Sequence, residues 1–461
     1  MPTQMTLTRI DLNGTAIRGL TTSEIDPGLE RTLNAGGSVL DPALRATVGI
    51  KPLVRCSTRD IGTLLAQLFG GSRKIPHVPI TAAGADLTLY WQSLAHGGAR
   101  GAAGTNIKTT ITKGLLVPTT LSNSGKEAEL GFEIAADFDG TNLPILFATA
   151  QNLPGSFDLH SPALWRICQL RNGSAGSVIN QIGEASIDFN VEVDRSDVLS
   201  TLYSLGSRVT GCNPRLTFST SDCAVALAAS PPQVGALAAA GGLIVYIAQY
   251  VAANPFLQTT GAIALTFAAN SVWYPVGINL GKFPITIDYD VLAKGGDDVA
   301  TAPLTYASGA TLPGTGFTPT LFMQGPAYDN TTPVDVAGGR FDFGMQWEQR
   351  RPSTLPWSNV AVLPKRERSL QIQTADPGYY ATLAGTNGRA ISTSFRIFLR
   401  KMVNQSEPYG DAATEHVKLL MSAGFIEPER MSAGHGERAE PTIVVTPLGD
   451  VLAVTTGQAI S

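Results

Sequence analysis

Charge is scarce in this 461-residue chain: Asp, Glu, Lys and Arg make up 15% of it, and 33 basic against 37 acidic residues leave a net charge of −4. A chain this sparse and slightly acidic lacks the basic footprint needed to grip a nucleic-acid backbone. It fits one that hides surface against partners. Cysteine is also rare. Cys56, Cys168, Cys212 and Cys223 show no CxxC or similar spacing, which argues against a zinc site or a disulfide framework and predicts buried free thiols. The five histidines, His77, His96, His160, His416 and His435, fall in no HxH or HExxH spacing, so no metal site is expected. No nucleophile-elbow GxSxG occurs. The glycine-rich HGGARGAAG beginning at His96 lacks the Lys-Ser or Lys-Thr of a P-loop, SGKEAE at 124–129 fails the same test, and GxGxxG is absent. Neither a cofactor nor a catalytic residue is expected, and the chain reads as no enzyme.

Long apolar runs are nearly missing too. Cys223 to Gly281 contains no charged residue, and its most apolar part, GALAAAGGLIVYIAQYVAANPFL, barely reaches the roughly 20 residues a membrane helix needs. Gly241-Gly242, Gln249 and Pro255 interrupt it, so it reads as a buried strand with its loops. The amino-terminal MPTQMTLTRIDLNG has no basic start and no apolar core, so no secretory leader is expected and synthesis in the cytoplasm follows.

What is abundant is glycine, 48 residues, and proline, 29, as in many short strands joined by turns. The length suits about three domains, and a repeat of about 155 residues agrees with it. Ile25-Asp26, Ile187-Asp188 and Phe341-Asp342 each open a similar segment, and 34 residues after each aspartate stands another: Asp60, Asp222 and Asp376. Thr58, Thr220 and Thr374 precede these by two residues. GIKPLVRCSTRDIGTLLA at 49–66 parallels GCNPRLTFSTSDCAVALA at 211–228. Aromatic-bearing strands LTLYWQSL, LIVYIAQYV and FRIFLRKMV follow, then short runs ending at Pro118, Pro275 and Pro428, then closing strands ELGFEI, PITIDYDV and PTIVVTPL. Ala128-Glu129 and Ala439-Glu440 precede two of these closing strands. The divisions fall near 155 and 315, at PGSFD and SGATLPGTG, giving modules 1–155, 156–315 and 316–461.

Alternation in IDFNVEV, FDFGMQW, RLTFST and SLQIQT predicts half-buried strands, while DIGTLLAQLF and DPGYYATLA predict short helices. Asp60, Asp222 and Asp376 are expected as helix N-caps, the carboxylate accepting the orphan N–H groups of the first turn; Pro377 suits the first helical position. The expected fold is mainly β, a sandwich or barrel with a short flanking helix, three times over. The basic stretches QRRP (349–352) and PKRER (364–368) are interrupted by Glu348 and Glu367 and read as a solvated or ion-paired face.

Three segments carry a family resemblance: ITKGLLVPTTLSNSGKEAELGFEIAADFDGTNLPI at 111–145, SIDFNVEVDRSDVLSTLYSLGSRVTGCNPRLTFSTSD at 186–222, and FRIFLRKMVNQSEPYGDAATEHVKLLMSAGFIEP at 395–428. They resemble the module of tail-tube proteins from long-tailed bacteriophages. The resemblance implies a structural virion protein made in the host cytoplasm. Its modules would join sheets around a ring, and stacked rings would form a tube through which DNA passes without sequence-specific contact. The implied partners are the chain itself, the tape measure, the tail terminator and the tail tip. Six modules per ring is the family plan. Three per chain then means either that two chains close a ring, or that a trimer lines the bore with two modules each and leaves the third outside. A tail-tip, distal-tail or neck ring on the same module is the alternative. A DNA clamp would need a basic, helix-lined lumen, and a tail-associated glycan hydrolase would need a carboxylate pair that no segment marks.

Overall fold

The computed structural model describes residues 4–35, 42–81, 87–94, 103–123, 127–154, 164–197, 201–230, 234–251, 254–314, 320–432, 440–449 and 452–460. The protein is mainly β, with 59% of residues in strands and 7% helical, arranged in several antiparallel sheets. The divisions expected near 155 and 315 fall in segments outside the described residues, as do His96, His160, His435, Ala439 and the core of the glycine-rich loop.

Alternation in the sequence becomes one-sided burial. In Arg215–Thr220 the inward residues Leu216 and Phe218 are buried while Arg215 faces out, and Ser369–Thr374 buries Leu370 and Ile372 in the same way. A strand with period two presents one apolar face to a core and one polar face away from it. Such strands form one long sheet. Its order is Leu20–Asp26, Leu53–Thr58, Ala128–Ala136, Gly114–Asn123, then Ile182–Asp188, Arg215–Thr220, Thr286–Leu292, Val272–Asn279, then Val336–Asp342, Ser369–Thr374, Glu440–Pro447, Gly424–Ser432. The same four-strand order recurs three times along the chain. Short strands Val78–Ile80, Ala236–Leu237 and Arg389–Ala390 each pair with the early half of the fourth strand of a set.

Behind each set lies a smaller sheet. The first orders Leu146–Gln151, Asn106–Ile111, Leu87–Leu94, Gln4–Leu12 and Thr15–Ile17. Its tight return is Asn13-Gly14, both at positive φ (52° and 76°), the two-residue turn whose twist matches paired strands. The second and third smaller sheets are built around Leu243–Val251 and Phe395–Lys401. Val54, Phe132 and Ile134 of the long sheet and Ile10, Leu87 and Leu89 of the first small sheet are essentially fully buried in one continuous core. Each such side chain contributes about 1.5–3 kcal/mol.

The charge-free stretch supplies the middle repeat's interior: Leu243, Val245, Ile247, Leu265, Phe267 and Trp273 are buried strand residues. Gly242 has φ +79°, and a Cβ there would lie 2.2 Å from the Phe267 carbonyl oxygen, so the Gly-Gly pair is what lets the chain enter Leu243–Val251. Among the described residues no helix is long and apolar enough to cross a membrane.

The repeated prolines do not end their strands. Gly114–Asn123, Val272–Asn279 and Gly424–Ser432 run on past Pro118, Pro275 and Pro428, each with a register shift directly after the proline. A residue without an N–H fits a strand where a bulge interrupts the ladder. A further strand also follows each closing strand: Leu146–Gln151, Leu304–Ala310 and Leu452–Gln458. The second absorbs the start of SGATLPGTG, expected as linker.

Candidate functional site

The repeated aspartates occupy one place in three contexts. Each directly precedes a short helix: α1 (Ile61–Leu68), α2 (Cys223–Ala229) and α3 (Pro377–Ala384). Asp376 caps α3, accepting from the N–H groups of Gly378 (2.8 Å) and Tyr379 (3.1 Å). Asp60 and Asp222 make no side-chain cap bond, which corrects the expected role. Asp222 instead accepts from Asn180 N (2.7 Å) and Gln181 N (3.1 Å), and Asp60 from Arg18 N (3.2 Å). Their carboxylates tether the chain entering the first strand of their set, where backbone N–H groups compete with those of the helix. Burial raises the pKa of Asp222 even though these N–H groups oppose the shift. The common element is the threonine two residues earlier: Thr58, Thr220 and Thr374 accept from the aspartate N–H at 2.9, 3.1 and 3.1 Å.

No described group of three or more His, Cys, Asp or Glu could hold a metal ion. All four cysteines are free and buried, and burial pushes the thiols of Cys56 and Cys168 up to about 12. His416, fully buried, accepts from Lys401 N through Nδ1 at 3.1 Å, with Nε2 3.1 Å from the Gly410 oxygen. The basic stretches are ion-paired: Arg351 meets Glu192 at 2.6 Å and Lys365 meets Glu367 at 2.5 Å.

The site with the most recurrent geometry is the junction between repeats, built twice. Gly114–Asn123 pairs with Ile182–Asp188, setting Thr120 opposite Asp188 and Leu121 opposite Ile187. Val272–Asn279 pairs with Val336–Asp342, setting Gly277 opposite Asp342 and Ile278 opposite Phe341. Leu121, Ile187 and Ile278 are fully buried and Phe341 nearly so. Phe189 N donates to Thr119 O, and Phe343 N to Val276 O, both at 2.9 Å. Polar partners seal the open side: Thr120 Oγ1 donates to Asp188 (2.9 Å), and Arg340 Nη1 donates to Asn279 (2.7 Å) and Asp288 (3.1 Å).

Two more contacts accompany each junction. A two-stranded hairpin of the later repeat, Val191–Asp197 with Ser204–Cys212 at the first junction and Met345–Arg350 with Val360–Arg366 at the second, meets the end of the earlier one. Ile50 N donates to Leu202 O (2.6 Å) and Phe138 N to Ser204 O (2.8 Å) at the first; Cys212 N donates to Pro356 O (2.8 Å) and Gly295 N to Ser358 O (3.0 Å) at the second. The helix of the earlier repeat also meets the last strand of the later one. Phe69, just after α1, stacks on Tyr306 at 5.6 Å between ring centroids, and α2 touches Leu452–Gln458.

The face of the long sheet turned away from the core is acidic. Its strands contain no lysine. Arg55 and Arg215 are held by Glu133 and Asp290 of adjacent strands, and Arg340 by Asp288 of the next strand but one. A groove of about 520 Å³ runs along this face, lined by Ser122, Glu184, Thr217, Asp288 and Arg340, and so crosses both junctions.

Ile187-Asp188 and Phe341-Asp342 were landmarks of the sequence repeat, but their junction partners escaped the sequence reading, although a signal was present. Leu121 and Ile278 stand three residues after the repeated prolines, and Met431 stands at the same offset from Pro428. No family model matches the chain, and no curated protein matches it.

Proposed function

We propose that the chain is a structural subunit that assembles by continuing its long sheet from one copy to the next, forming the rings of a bacteriophage tail tube through which the genome is delivered. One observation carries the reading: a four-strand set is joined to its neighbour twice within the chain by the same pairing, while Leu20–Asp26 and the latter half of Gly424–Ser432 are each paired on one side only, with no strand on the outer side among the described residues. Unpaired edges template further strands, and closure into a ring removes them. In this reading all three repeats, which supply strands to one sheet, line the bore, and two chains complete six sets. The tail assignment itself rests on the resemblance of the sequence.

The open face fits a conduit. DNA held by many free cations would release counterions and stay bound, whereas this face has no lysine and its paired arginines are neutralised by carboxylates. Negative-stain microscopy of the purified chain tests the proposal. Hollow rings or tubes about six sets around are expected, and a dispersed monomer at every concentration refutes it. Copy number in purified particles separates a tube, present in many copies, from a tip or neck ring present once or twice.

A further inference from the structure

The two ends of the chain carry the separated halves of a third junction. The bulge after each repeated proline fixes the correspondence: Leu121 lies opposite Leu130, Ile278 opposite Ile287 and Met431 opposite Pro441, each two residues before the partner of its proline. Met431 is therefore the counterpart of Leu121 and Ile278, and Arg430 of Thr120 and Gly277. At the other end, Ile25 and Asp26 stand where Ile187-Asp188 and Phe341-Asp342 stand in their repeats. Leu121 and Ile278 are fully buried, yet Met431 is 55% exposed.

A second, independent mismatch lies in the small sheets. Tyr306 pairs with Leu265 and Val454 with Leu419, and Phe147 holds the same place opposite Thr109. Tyr306 and Val454 pack against the core beside the helix of the preceding repeat. Phe147 is 62% exposed. The helix α3 buries only Leu383, whereas α1 buries Ile61, Leu64, Leu65 and Leu68. Both mismatches pair the first repeat with the third in the same direction, later repeat onto earlier.

We infer that a second copy of this chain fills the gap: Leu20–Asp26 of one copy adds to Arg430–Ser432 of another, with Ile25 opposite Met431 and Asp26 opposite Arg430, while Phe147 covers α3. The inference rests on the self-assembly reading above and adds the surface and its register. The new pair of opposite charges faces directly across the strands, a favourable cross-strand arrangement. One difference from the internal junctions follows from the sequence. Pro27 replaces Phe189 and Phe343, so the backbone bond those residues donate is missing here. Proline on an edge also discourages pairing with strangers. The contact is head-to-tail, so it closes into a ring or runs on as a filament.

The test mixes two full-length variants, Ile25→Cys and Met431→Cys, under mild oxidation, beside charge exchanges at the same seam. Expected are a disulfide between the two chains only when both are present, and a roughly fivefold rise in the midpoint concentration of assembly for Asp26→Arg or Arg430→Glu alone. Combining Asp26→Arg with Arg430→Glu restores assembly, and Phe147→Ala weakens it with the monomer's melting unchanged. Tubes that form without the cross-link and ignore the charge exchanges overturn this register and leave the tube proposal standing. A chain that stays monomeric throughout overturns both.

Discussion

Replacing Asp222 with alanine tests whether the repeated aspartates act as helix caps or as tethers. Asp222 is 3% exposed and its Oδ2 accepts from two backbone N–H groups, at Asn180 and Gln181. Truncation leaves both donors half-buried and unsatisfied, at about 1–3 kcal/mol each; partial access to water keeps the sum near the lower half, about 2–3 kcal/mol. The same change at Asp376 removes a half-buried cap and costs about 1 kcal/mol. At Asp60 one 3.2 Å bond is lost, about 0.5–1 kcal/mol. Asn at 222 keeps one acceptor oxygen and relieves the buried charge, so its cost falls between. Denaturant midpoints give the order, and hydrogen exchange gives the place. The amides of Asn180 and Gln181 exchange faster in Asp222→Ala with α2 unchanged, whereas Asp376→Ala speeds exchange at the start of α3. A variant series in which Asp376→Ala costs most, or in which Asp222→Ala frays α2 and spares Asn180 and Gln181, refutes the tether.

Three further outcomes follow from the same structure. His77, with Nδ1 2.8 Å from the Ile75 oxygen, has its pKa lowered by burial first and by Arg73 second. The unfolded chain therefore binds its proton more readily, and stability present above about pH 6.5 falls as pH drops through the lowered value; melting scans from pH 7.5 to 5 should show a shallower decline for His77→Asn. Glu184→Lys places a cation in the groove of the open face; on the proposed tube function, assembled tubes should then retain DNA in a salt-sensitive way and eject it more slowly, and an unchanged rate and salt response counts against that face as the lumen. The four cysteines should resist alkylation in the native chain at pH 8 and react together on unfolding, since all are buried and the thiolates of Cys56 and Cys168 are disfavoured.

The strands were legible wherever one face is buried, because alternation records burial directly: RLTFST and SLQIQT needed no tertiary information. The helices were legible through DIGTLLAQLF and DPGYYATLA. The role of Asp60 and Asp222 was not, because an aspartate before a helix has two sets of backbone donors within reach, and only the fold brings Arg18, Asn180 and Gln181 close enough to win. Pro118, Pro275 and Pro428 looked like strand ends because a proline breaks a ladder, yet the bulge that tolerates it is a pairing property invisible in one strand. The junctions were missed for a related reason: they join strands more than sixty residues apart, and periodicity reports which face is buried but never by whom.

Divergence among the repeats has a physical cause in their places along the sheet. The middle repeat has a neighbour on either side in the long sheet, so its four strands there meet no open edge, and the stretch from Cys223 to Gly281 carries no charge. On the self-assembly proposed above, the outer repeats each keep one edge that must stay soluble until a second copy pairs with it. Leu20–Asp26 carries Glu24 and Asp26 and is followed by Pro27, and Gly424–Ser432 carries Glu427, Glu429 and Arg430. Charge and proline on an edge oppose indiscriminate pairing. At the same positions the first internal junction has Ser186 and Thr120 in place of Glu24 and Arg430, while the second has Gly277 but keeps a charge at Arg340, and both keep the aspartate as Asp188 and Asp342. On the proposed self-assembly, a sheet extended by covalent linkage in its middle and by charge-matched edges at its ends has its order of assembly set by sequence: the repeats zip within one chain first, and only completed chains present the two halves proposed to fit each other.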